Sequence, residues 1–483
     1  MNTKIINIPI SWILLLVLSF IIQNCSSSEI NPDIKTSSIK REIKNSKIID
    51  IKRLNNTVFL LTNNEVLSFS INNNSLLFEQ RGSYRLERKS TFSDFNQIGI
   101  LHIDEKLIVI QVNDYKTEKD TLYFIDSKTC QKISERELDG YKRIVFIKTN
   151  PYELETSDSY YLLAVPGSNI GITLEKASYT KQQIKWAYSS RYSGWDLEGV
   201  LFINHDKLLL SDVDSDHQNY QINLINTKDG STISQKHIEK SSFSNLRLTQ
   251  VADRTFFIFD FADTGATTSL WELKSDNTFI KKWSNGFESA KRENISSFCN
   301  EHQYIYFLHQ NEHQNELNQN GTLWYIDLWK GKSIPIKMKS IPDEIDRTSP
   351  NYVTLIDNHL FLTATRLTSK NHSFIQSIFL IDQADGSILW EKQSEVESYY
   401  DGSKLNIFDS KQPPFYVSGN TAAFVWNEDK VELINLSDGK SKNLITKKGL
   451  YQKFDASFFI QVNENLIWIR DNGDYDFVRI DGK

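Results

Sequence analysis

Three carboxylates stand at alternate positions in the run Asp212-Val213-Asp214-Ser215-Asp216-His217-Gln218-Asn219. Alternate acidic side chains on a loop can converge on a hard cation such as calcium, which takes oxygen ligands. An EF-hand loop also needs glycine at its sixth position and glutamate at its twelfth; here those positions hold His217 and Asn223. The run reads as well as the solvated tip of a hairpin, and no metal is assigned to it. His302, His309 and His313 are the closest group of histidines, in and beside a loop rich in Asn and Gln, with no fixed face to aim them at an ion. The three cysteines, Cys25, Cys130 and Cys299, form no CxxC, and no HExxH, GxSxG or GxxxxGKS pattern occurs. No catalytic residue and no cofactor are therefore assigned.

The elements that would have to position such groups are strands. Lys+Arg number 55 against Asp+Glu 61, a net charge of -6, so there is no basic field to hold nucleic acid. Aromatic residues make up 12% of the chain, which marks a folded protein rather than a disordered one. From Ile48 onwards no helical period is sustained. Short apolar runs alternate with Asn, Asp, Ser and Gly, the pattern of strands and turns.

These runs repeat. Ser377-Ile378-Phe379-Leu380-Ile381-Asp382 followed by Gly386 and Trp390 has counterparts at Leu122 to Cys130, Ile222 to Gly230, Leu323 to Gly331 and Val431 to Gly439. Each copy follows a second apolar strand, near Val58, Leu107, Tyr160, Leu208, Phe256, Tyr304, Leu360, Ala423 or Leu466. One unit is four strands in about 45 to 60 residues, the size of a propeller blade. A four-stranded sheet with two apolar faces cannot bury both alone, so the units stack around a ring. The chain is thus expected to be all-β, a single β-propeller over residues 48–483. Counted literally the units number nine; rings of seven or eight are commoner, and eight is the preferred number within a range of seven to nine. The last unit stops at Lys483 without a fourth strand, and Ser38 to Ile43 is expected to supply it.

The motif resembles the pyrroloquinoline-quinone-like repeat of quinoprotein-type propellers, with Trp186, Trp283 and Trp390 where that family places its blade-docking tryptophan. Cys130 stands where the turn glycine is expected, and the first unit has Asn73-Asn74-Ser75 in place of Thr-Gly. The resemblance also implies a test for redox chemistry. Quinone enzymes of the family hold calcium and quinone at the ring centre and often carry adjacent cysteines. No such pair is present, since Cys130 and Cys299 lie about four units apart, and both read as buried thiols.

Residues 1–24 read as an export signal, with Lys4 ahead of the apolar run Ile5 to Ile22. Cys25 and Ser26-Ser27-Ser28 follow. Together these resemble a bacterial lipoprotein signal with a relaxed lipobox at Ile22-Gln23-Asn24, which implies acylation of Cys25. An uncleaved membrane anchor and an ordinary signal peptide remain open beside it. Residues 25–47 then form a polar tether. Two insertions, Gln310 to Gly321 and Thr363 to Ser373, are expected between second and third strands, where they protrude.

The reading that results is a lipid-anchored propeller of the bacterial cell envelope, at the outer membrane, working as a non-catalytic scaffold for other envelope proteins. It is similar at fold level to the propeller lipoprotein of the outer-membrane barrel assembly machinery. A surface adhesin, and a propeller binding a ligand or quinone at its central channel, are the alternatives.

Overall fold

The computed structural model describes the strands and tight turns between Ser38 and Ile480; residues 1–37 and 481–483 lie outside it, as do several loop segments, the longest being 87–97, 191–199, 310–321, 394–414 and 447–456. The described strands form nine antiparallel sheets, eight of four strands and a last one of three. In chain order these are blade 1 (Ile48–Arg85), blade 2 (Ile98–Leu138), blade 3 (Tyr141–Ser190), blade 4 (Val200–Glu239), blade 5 (Asn245–Phe287), blade 6 (Asn294–Ile336), blade 7 (Ile345–Gln393), blade 8 (Phe415–Thr446) and blade 9 (Ser457–Arg479). Within each blade every strand pairs with its neighbour in sequence, as expected of short apolar runs joined by tight turns.

Blade cores lie between sheets, because the middle strands are apolar on both faces. In blade 4, Leu208, Leu209 and Leu210 are all fully buried; Leu208 and Leu210 pack with Tyr161 and Leu163 of blade 3, and Leu209 packs towards blade 5. Equivalent shared cores join blades 1 and 2, 2 and 3, 7 and 8, and 8 and 9. Blades 9 and 1 share a core as well: Ile460, Val462, Ile467 and Ile469 pack with Val58, Leu60, Leu67 and Phe69. First and last units are thereby neighbours, and the array is a closed ring. The fold is a β-propeller.

Three expectations need correction. The described strands form nine blades rather than the preferred eight: all nine second strands marked in the sequence fall in separate sheets, and the first and last units share a core. Ser38–Ile43 is a short α-helix, not the missing strand. Ile39 and Ile43, four residues apart, lie on one helical face and are buried in the core between blades 9 and 1. Among the described residues blade 9 has three strands. The insertion expected at Thr363 to Ser373 is also shorter, since Thr363 to Thr368 continues the second strand of blade 7. The insertion at Gln310 to Gly321 lies outside the described residues.

Two faces of the ring differ by topology. First-to-second and third-to-fourth strand turns share one face, and most are tight: Asn55-Asn56, Asp104 to Lys106, Ser127 to Gln131 and Thr227 to Ser231 are examples. The opposite face carries the connections between blades.

Candidate functional site

The turn between third and fourth strands is built from its side chains inward. Asp126 Oδ1 accepts the backbone N–H groups of Lys128 (3.0 Å) and Thr129 (2.7 Å), and Asn226 Oδ1 accepts that of Lys228 (2.9 Å). The chain then turns left-handed, at Gly230 (φ 75°) and Gly439 (φ 68°), but also at Leu76, Cys130, Gln182 and Asn277. Glycine is the cheap choice there, since a Cβ disfavours positive φ.

After the turn, the outermost strand carries a β-bulge in seven blades, one residue being skipped by the pairing. The residue after the bulge is aimed at the turn of the next blade. Trp186 lies on Gly230, and its Nε1–H donates to the Thr227 carbonyl at 2.9 Å. Trp390 repeats this on Gly439, donating to the Leu436 carbonyl at 2.8 Å. In blade 2 the same position is Ser134, which donates to the Tyr179 carbonyl beside Gln182; in blade 4 it is Ser234, donating to the Asn277 carbonyl at 3.0 Å. In blade 1 it is Gly82, and a Cβ there would stand 2.8 Å from Cβ of Cys130. Large residues thus meet glycine, serines meet Gln182 and Asn277, and glycine meets Cys130. Trp186 and Trp390 dock as the repeat implies; Trp283 follows the bulge in blade 5.

Charged groups within the ring are used between blades. Arg136 of blade 2 reaches Tyr160 Oη (2.7 Å) and Glu175 Oε2 (2.8 Å) of blade 3. Lys392 of blade 7 pairs with Glu432 of blade 8 at 2.6 Å. Lys176 binds Glu153 Oε1 at 2.8 Å and the Thr227 carbonyl of blade 4 at 3.0 Å. Burial opposes ionisation of Glu153, but hydrogen bonds from Lys176, Ser157 and Tyr161 outweigh it and hold its carboxyl below the usual range. Asp104 behaves alike: burial works against its charge, while hydrogen bonds from His102, Thr149 and the Lys106 N–H hold its carboxyl well below the usual range. These networks fix blade against blade.

Of the residues singled out in the sequence, Cys25 lies outside the described residues, as do Asp214, Asp216, His302 and His313. Asp212 sits in the second strand of blade 4, paired with Gln221, and among the described residues no group of three metal-ligating side chains converges. Cys130 is a free, buried thiol in blade 2, and burial raises its pKa to about 11. Cys299 belongs to blade 6, four blades away.

Sequence reasoning missed an exposed apolar rim. Ile184 (44% exposed), Ile233 (38%) and Ile280 (42%) are each the first or second residue of the outermost strand in blades 3, 4 and 5. Leu389 of blade 7, the second residue of its outermost strand, is 51% exposed. A signal was available: an apolar residue two or three places after the turn residue, in a strand whose polar neighbours mark it as outermost.

No protein-family model matches the sequence, and no curated protein matches it. Among solved structures the chain is similar to BamB from Moraxella catarrhalis, at 11% identity over 89% of this chain and 97% of that one, with a TM-score of 0.38. A eukaryotic initiation factor aligns at 9% identity over 86% and 94%, with a TM-score of 0.48. A quinohemoprotein alcohol dehydrogenase, ADHIIG from Pseudomonas putida HK5, aligns at 8% over 88% and 71%, with a TM-score of 0.38.

Proposed function

We propose that this chain is a lipid-anchored propeller of the bacterial cell envelope that acts as a non-catalytic scaffold, docking other envelope proteins on its rim. The observation that carries this reading is the arc of Ile184, Ile233 and Ile280. Three consecutive blades each present a branched apolar side chain at the same end of the outermost strand. Scattered single apolar residues need no explanation, but one at the same strand end on each of three consecutive blades offers a partner a row of anchoring points. The polar networks between blades supply the rigidity that lets such a row keep its spacing. In this reading residues 1–24 direct export, acylated Cys25 holds the protein at the outer membrane, and the ring projects from a short tether.

Two measurements test it. Envelope fractionation with metabolic palmitate labelling should place label and protein in the membrane fraction, and Cys25→Ala should remove both; label retained in C25A contradicts the anchor. Crosslinking in intact envelopes, followed by purification and mass spectrometry, should return the same envelope protein in repeated preparations, and should cease to do so for the rim variant I184D/I233D/I280D. Recovery of the ring alone contradicts the scaffold.

A further inference from the structure

The connection between first and second strands is short in every blade but one. Eight of these connections span two to four residues, whereas that of blade 3, between Lys148 and Ser159, spans ten. Residues 154 and 155 lie outside the described residues; the rest of the loop is tied to three blades. Thr149 Oγ1 donates to Asp104 of blade 2, and Asn150 Nδ2 donates to the Asn204 carbonyl of blade 4 at 3.2 Å. Within blade 3, Glu153 accepts from Lys176 Nζ (2.8 Å), Tyr161 Oη (2.6 Å) and Ser157 Oγ. Asp158 accepts from Thr180 Oγ1 (2.6 Å), Lys185 Nζ (2.9 Å) and Ser178 Oγ.

These anchors converge on one residue. Asn150 is buried, and its Oδ1 accepts the Tyr152 N–H at 3.0 Å while its carbonyl accepts the Glu153 N–H at 3.1 Å. Tyr152 is thereby held at the tip of a tight turn, with 47% of its surface exposed. Two residues would join the strands, as in blades 1 and 8. An insertion is tolerated without being ordered, because lengthening a surface loop costs little. Ordering it, and burying Asn150 and Glu153 to do so, costs backbone entropy and desolvation. A loop fixed in this way presents its tip in one position, and conformational freedom already lost does not have to be lost again on binding.

The distribution of exposed apolar groups gives a second, independent sign. Among the described residues six of the seven exposed large apolar side chains stand at the tight-turn end of the ring: Leu77, Tyr152, Ile184, Ile233, Ile280 and Leu389. The seventh, Phe477, is mid-strand in blade 9. Tyr152 is continuous with the rim, since Asp158 at the end of its loop holds Lys185, the neighbour of Ile184, and Asn150 holds the turn of blade 4, the blade that carries Ile233. It also stands nearer the ring axis than they do, because the first and second strands lie inside the fourth.

We infer that Tyr152 is an anchor of the docking surface proposed above, and that its ring enters an apolar pocket of the partner protein. The inference rests on that reading and narrows it: the partner covers the tight-turn face over blades 3 and 4 and not the perimeter alone. A tyrosine suits such a place, with a large apolar ring for the pocket, a hydroxyl that can reach an acceptor at its end, and few rotamers to lose. The occupant is a protein rather than a lipid surface. Residues 149–158 contain Glu153, Glu155 and Asp158 and no Lys or Arg, which anionic headgroups would repel.

The test places a photoreactive benzoyl-phenylalanine at Tyr152, and separately at Ile184 and Ile233, in intact envelopes of cells making the full chain. Position 152 should join to the same protein as positions 184 and 233. Recovery of that protein should fall about tenfold or more in Tyr152→Ala and be largely kept in Tyr152→Phe, with the melting temperature of the ring unchanged in both. Capture at 184 and 233 with none at 152, capture of lipid or of a different protein at 152, or full recovery with Y152A overturns the inference and leaves the scaffold standing. Capture at none of the three positions overturns both.

Discussion

Replacing Gly230 by alanine should destabilise the ring mainly through Trp186, and the size of the effect follows from two separable causes. At φ 75° an L-residue is strained by about 1 to 2 kcal/mol. The new Cβ would also stand 2.8 Å from Cε3 and 2.9 Å from Cδ2 of Trp186, closer than carbon atoms approach. The indole cannot retreat freely, since its Nε1–H is bound to the Thr227 carbonyl and the ring is 8% exposed. Overpacking of this kind costs about 1 to 3 kcal/mol, so G230A should lose about 2 to 5 kcal/mol in all. Trp186→Ala alone should lose about 3 to 5 kcal/mol, as buried tryptophans do. The Thr227 carbonyl keeps Lys176 as a donor, so no orphaned acceptor adds to that figure. In W186A/G230A the steric part vanishes and only the backbone strain remains, so the two substitutions should couple by about 1 to 3 kcal/mol. Urea unfolding followed by circular dichroism on the four proteins measures this cycle. Additivity within about 0.5 kcal/mol would show that the tryptophan and the glycine do not form one docking unit, and would refute the reasoning.

Other outcomes follow from the same geometry. Gly82→Ala should cost about 1 to 3 kcal/mol, because its Cβ would meet Cys130 and the Thr129 carbonyl at 2.8 and 2.9 Å; unfolding midpoints unchanged from those of the parent protein would contradict this. Cys130, held up at about 11 by burial, should resist alkylation at pH 8 in the native protein and react once urea opens blade 2; fast native labelling would be contrary. Asp104 and Glu153 have folded pKa values below their unfolded ones, so the stability they contribute is present above about pH 4 and is lost as the pH falls towards the lowered values. The urea midpoint should therefore drop between about pH 4 and 2, and less steeply in D104N; an equal slope in the variant would exclude Asp104 as a cause.

How much of this was legible in the sequence depends on which interactions are local. The strand runs and their spacing are local, so all nine second strands could be marked, and the literal count was right where the preference for a commoner ring was not. The docking tryptophans Trp186 and Trp390 also stood out, because each sits at a fixed distance from its own turn. Their substitutes did not: Gly82 makes sense only against Cys130, and Ser234 only against Asn277, residues 48 and 43 positions away across a blade boundary. Ser38–Ile43 was ambiguous for a simple reason. Ile39 and Ile43 fall on one face whether the period is 2 or 3.6, and only packing between blades 9 and 1 decides for the helix. The apolar rim needed the sheet order, which tells that the strands starting near Ile184, Ile233 and Ile280 are outermost.

The scaffold rests on that rim, and a photoreactive side chain placed at Ile184, Ile233 or Ile280 in living cells tests it most directly. All three positions should crosslink to one and the same envelope protein, while an exposed control on the opposite strand end, such as His237, should not. No adduct at any rim position, or the same spread of adducts at His237 as at the rim, would contradict the account.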